Sequence, residues 1–149
     1  MAALKKRYYP KIAEEVYLAT LDNGMSLSII KKKGFIEKAA FLSTNFGALD
    51  NRFYIDGKLQ TYPAGIAHFL EHKLFEDDQG RDVTLDFVKL GADVNAFTTL
   101  DRTTYYFSTI DHFEESLELL LKFTSEFTSS EDTVNHEKRI IEQEINMYR

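Results

Sequence analysis

The sequence has no cysteine, no tryptophan and no excess of positive charge. Without cysteine there is no disulfide, no thiolate zinc site and no cysteine nucleophile, so any metal must be held by histidine and carboxylate. A net charge of −6 argues against a nucleic-acid partner, because a phosphate backbone calls for a basic surface. Long apolar runs are missing too. Stretches such as Leu117 to Leu121 break off within a few residues, so none suits a membrane span. Lys5-Lys6-Arg7 is followed by Tyr8-Tyr9-Pro10-Lys11 rather than by an apolar segment, which does not fit a signal peptide. A cytoplasmic protein is the expectation.

What is present suits one domain. The 149 residues are 44% hydrophobic and 13% aromatic, enough to bury a core, and twelve Phe with eight Tyr point to bulky packing and an aromatic-lined pocket. Residues 15–33 read as a hairpin, with Val16, Leu18 and Thr20 alternating, Asp22-Asn23-Gly24 turning, and Ser26 to Ile30 returning. A third strand is expected from Lys38 to Asn45, and residues 48–62 read as a polar, irregular surface loop.

A helix is expected from Pro63 to Glu76, since proline is tolerated at a first helical position. Asp77 to Gly80 breaks it. A short helix follows from Asp82 to Leu90, closed by Gly91. Strands Asp93 to Thr98 and Thr103 to Ile110 turn through Leu100-Asp101-Arg102. From His112 to Phe127 an amphipathic helix carries Phe113, Leu117, Leu120 and Leu121, continued by the methyl of Thr124. Ser129-Ser130 offers an N-cap for a further helix from Glu131 onward. Strands first and helices interleaved after them predict an α+β fold, a mixed, largely antiparallel sheet with helices packed on it.

The chemistry is concentrated in His68-Phe69-Leu70-Glu71-His72. Residues four apart on a helix lie about 40° apart around it, so His68 and His72 can aim two imidazoles at one ion. Glu71 falls roughly 60° to the other side of His68, within reach of a water activated by that ion. These are the groups of the His-Glu-x-x-His zinc motif in reversed order. The bland alternative is a solvated or structural helix that happens to hold these residues.

A third protein ligand is available farther on. Val134, Glu137, Ile141, Glu144 and Tyr148 recur at intervals of 3, 4, 3 and 4, the inward stripe of a helix flanked by Ile140 and Ile145. Two carboxylates thus stand where apolar side chains are expected. Burial of a carboxylate is costly unless a cation or partner meets it. Glu142, about 140° from Glu137, should face solvent. Spacing alone does not choose between Glu137 and Glu144. One would bind the ion, and the other would orient a ligand from behind. Pairing of both acids with Lys or Arg is the alternative.

Three segments carry a family resemblance: Gly65 to Glu76, Asn95-Ala96-Phe97-Thr98, and Glu137 to Glu144. In these, and over nearly the whole chain from Ile12, the sequence resembles the pitrilysin/insulinase family of zinc peptidases, especially its bacterial YmfH-like processing-protease branch. The resemblance implies a pitrilysin-type fold and a zinc-dependent endopeptidase acting on peptides or unfolded segments. It implies His68, His72 and Glu144 as zinc ligands, Glu71 as general base and Glu137 as the supporting acid. Asn95, Ala96 and Phe97 match the strand that accepts substrate backbone as an added strand. Phe75 and Phe97 are expected to form an apolar pocket for a substrate side chain.

Family members enclose substrate between two homologous halves, and the helical pattern here runs to Tyr148-Arg149 without a closing Gly, Asn or Pro. Residues 1–149 are therefore expected to be the N-terminal part of a catalytic domain, truncated, and partnered by a missing C-terminal half or in a homo- or heterodimer. The rival expectation is a non-catalytic scaffold or partner subunit of a processing-peptidase pair. The intact Glu71 speaks against it, since a scaffold has no use for the base.

Overall fold

The computed structural model describes residues 3–77, 79–127 and 129–147, the Ile145 side chain excepted. The chain divides into two compact units, residues 1–36 and 37–149. In the first, β1 (Lys5–Tyr9), β2 (Glu14–Thr20) and β3 (Ser26–Ile30) form an antiparallel sheet in that order. The β2–β3 turn is the expected one. Gly24 takes φ 85°, and Asn23 Oδ1 accepts the Met25 N–H at 3.1 Å. β1 was not anticipated. Its Lys-Lys-Arg-Tyr-Tyr run has little apolar alternation, and it is a strand through its pairing with β2.

The second unit holds β4 (Lys38–Thr44), β5 (Arg52–Ile55), β6 (Lys58–Thr61), α1 (Ile66–Leu74), α2 (Thr84–Lys89), β7 (Asp93–Thr98), β8 (Thr103–Thr109), α3 (Phe113–Ser125) and α4 (Glu131–Met147). β4, β8 and β7 form an antiparallel sheet with β8 in the middle. Helices α1, α2 and α3 contribute to one core against it, centred on Phe87, Phe107, Leu120 and Phe123. The α+β expectation holds.

The structure corrects three local expectations. Residues 48–62 are not irregular, because β5 and β6 pair as a hairpin whose Asp56-Gly57 turn takes φ 50° and 74°. Helix α1 starts after Pro63, since Gly65 at φ 88° cannot be helical and the Ile66 N–H closes a turn onto the Pro63 carbonyl. Leu121 does not share the α3 core stripe. It is 42% exposed, and Ser116, Leu120 and Phe123 take the buried line. Tyr148 of the α4 stripe lies outside the described residues. Ser130 does cap α4, its Oγ accepting the Thr133 N–H at 3.2 Å.

Gly47 locks β4 to the β7–β8 turn. A Cβ there would stand 2.4 Å from the Arg102 nitrogen and 2.6 Å from that of Asp101, both backbone. Gly47→Ala must therefore move main chain, and should cost about 1–3 kcal/mol. Thermal denaturation checks this, and an unchanged midpoint would mean that the turn yields freely.

Candidate metal centre

Helix α1 presents His68 and His72 one turn apart, as their spacing requires. Their rings meet edge to face with centroids 4.6 Å apart, and their Nε2 atoms are 3.1 Å apart. Helix α4 packs against α1 and brings Glu144 to the same point. Its Oε2 lies 3.8 Å from Nε2 of each histidine. One ligand atom from each of the three residues falls within 4.8 Å of the others. Almost two turns earlier on α4, Glu137 is 7% exposed, and its Oε1 is 3.0 Å from His72 Nδ1. A carboxylate facing Nδ1 favours the ring form that donates from Nδ1, the form in which Nε2 can offer its lone pair to an ion.

The donor set fits a divalent cation. Two imidazole nitrogens and a carboxylate oxygen converge, and among the described residues only histidines pair with Glu137 and Glu144; two imidazoles with a carboxylate are a ligand set that zinc accepts. Glu142 is exposed and takes no part.

Glu71 is 7% exposed on α1, and its Oε2 accepts a hydrogen bond from the Thr98 hydroxyl. Sequence reasoning gave Thr98 no role, although it ends the segment Asn95-Ala96-Phe97-Thr98. The signal is its inward face on β7, and the contact spans 27 positions. Next to it on the sheet, Thr103 donates to the Phe46 carbonyl at 2.8 Å. Burial, with the Glu71 carboxylate second, holds the Tyr105 phenol well above the ordinary tyrosine range, so it is a neutral wall.

Glu71, His72, Phe75, Asn95, Glu137 and Glu144 line a cleft of about 560 Å³, with His136 and Ile140 on the α4 side. The structure does not bring Phe75 and Phe97 into one pocket. Phe75 stacks on Phe123 and leans on Tyr105 at the core face of the sheet. Phe97 points to the opposite face, 43% exposed beside Tyr106, because alternate residues of β7 face opposite ways.

A helix with paired histidines thus faces a second helix that carries the acid, in an α+β domain whose main sheet is antiparallel. The family model described as Insulinase (Peptidase family M16) matches residues 60–149, and the chain belongs to that family. It is 46% identical over 147 residues to the uncharacterized zinc protease YmfH of Bacillus subtilis (strain 168), covering 97% of this chain and 34% of that one. It is 28% identical to a mitochondrial-processing peptidase subunit beta of Arabidopsis thaliana, over 89% of this chain and 24% of that one. An M16-like peptidase from Alicyclobacillus acidocaldarius superposes with a TM-score of 0.84 at 38% identity, over 90% of this chain and 31% of that one. Pitrilysin shares the fold, with a TM-score of 0.75 at 19% identity over 99% of this chain and 16% of that one. The chain thus spans about a third or less of the curated relatives named here.

Proposed function

We propose that these residues form the zinc-binding part of an endopeptidase, in which His68, His72 and Glu144 hold the ion and Glu71 is the general base. The observation that carries this reading is the convergence of three electron-pair donors close to a buried carboxylate, with Glu71, His72 and Glu144 on the wall of one cleft. Zinc would supply Lewis acidity there. Glu71 takes the proton of the attacking water on its carboxylate and passes it to the leaving amine. The Thr98 hydroxyl steadies that carboxylate, and Glu137 fixes the ring of His72. The exposed edge of β7 around Asn95, Ala96 and Phe97 takes the substrate backbone as an added strand, and Phe75 contributes an apolar wall.

The substrates in this reading are peptides or unfolded segments met in the cytoplasm. The longer relatives support a working enzyme that joins this domain to further chain, and the processing-peptidase relative supports pairing of subunits. No described helix is long and apolar enough to cross a membrane.

Metal analysis tests the site directly. The parent should bind about one equivalent of zinc, and His72→Ala and Glu144→Ala should lose it. Glu137→Ala should weaken affinity by about 10- to 100-fold, as loss of a supporting hydrogen bond does. Parent-like zinc content in the His72 and Glu144 variants would refute the ligand set.

A further inference from the structure

The sheet ends at β7, and no described strand pairs with its outer edge. The β7–β8 turn fixes which groups face outward. The Thr99 N–H donates to the Arg102 carbonyl at 2.8 Å, so these two form a hydrogen-bonded pair. Antiparallel pairs alternate in kind, which makes Thr98–Thr103, Ala96–Tyr105 and Val94–Phe107 the non-bonded ones. The main-chain groups of Val94, Ala96 and Thr98 therefore point to the free edge. The Ala96 N–H is already taken. It donates to Oδ1 of Asn95, its own neighbour, at 2.8 Å.

We propose that the Asn95 side chain is a placeholder for a peptide carbonyl, occupying the Ala96 N–H until an incoming strand displaces it. This rests on β7 as the substrate-bearing edge. An asparagine carboxamide and a peptide carbonyl offer the same kind of acceptor, so the exchange conserves hydrogen bonds but gives the substrate no new one. The competition acts on the backbone, so it weakens binding of any extended peptide whatever its side chains. It also blunts an edge that would otherwise template pairing with another copy.

Two substitutions at this exposed position have opposite expected signs. The probe is a fluorescein-labelled, unstructured Ala/Ser peptide, titrated into zinc-loaded protein that carries Glu71→Gln so that the peptide survives. Asn95→Ala removes the competitor, and should tighten binding by about 3- to 10-fold and speed hydrogen exchange at the Ala96 amide of peptide-free protein. Asn95→Asp puts a stronger, charged acceptor in place, and should slow that exchange and weaken binding several-fold at neutral pH. A residue that contacts substrate directly would instead lose affinity on conversion to alanine, and that result overturns the proposal. So does unchanged Ala96 exchange in both variants. If peptide slows edge exchange but Asn95→Ala binds it no tighter, the placeholder alone fails. If peptide slows exchange nowhere from Val94 to Thr98, the edge reading falls and takes the placeholder with it.

Discussion

Glu71→Gln should leave zinc bound and depress peptide hydrolysis by about 10²- to 10⁴-fold, the usual contribution of a positioned acid–base group. The substitution is nearly isosteric. The amide oxygen can still accept the Thr98 hydroxyl, so a side chain that is 7% exposed keeps its place. What it loses is basicity. Glu71 is not one of the three converging donors, so metal content should hold. The measurement is hydrolysis of an unstructured peptide by the full gene product, with zinc determined on the same sample. Parallel loss of metal and turnover would make Glu71 a ligand. Unaltered turnover would move the base elsewhere.

The largest stability effect is expected at Phe107. It is fully buried at the middle of β8, with its ring centroid 5.9 Å from that of Phe87 and 5.5 Å from that of Phe113. Phe107→Ala removes transfer energy and leaves a void between sheet and helices, together worth about 3–5 kcal/mol. Against a typical domain stability of about 5–15 kcal/mol, such a loss is a large fraction of the total. Phe41 is the control. It is 64% exposed on the far face of the same sheet, where truncation should stay within about 0.5 kcal/mol. Urea denaturation of both variants checks the contrast. Similar costs at the two positions would show that the outer face is covered in solution.

Long, strongly patterned elements were legible in the sequence, and those with weak patterns were not. The β5–β6 hairpin was hidden by the polar composition of residues 48–62, although Asp56-Gly57 between Tyr54-Ile55 and Lys58-Leu59 is a local turn signal. β1 becomes a strand only through its partner. Leu121 misled because it is adjacent to Leu120, about 100° around the helix and so off the buried line. At the site, the meeting of His68 and His72 follows from local spacing. The choice between Glu137 and Glu144 cannot, because seven residues make almost two full turns and put both acids on one face. It is the docking of α4 on α1 that sets Glu137 against the Nδ1 side of His72 and Glu144 against the paired Nε2 atoms.

That docking has a further consequence. The donors on α1 and the donor on α4 are separated by more than seventy positions of chain, and α1 is the main neighbour of α4 in the fold. An ion held as proposed would rivet the two helices together. Whatever strips the rivet also loosens α4, so a chelator should raise amide exchange along residues 131–147 while the Phe87–Phe107 core stays protected. Anything that lifts α4 away discharges the metal in turn. Helix seating and ion retention become one equilibrium seen from two ends, and metal supply then sets how much of the chain is fully assembled.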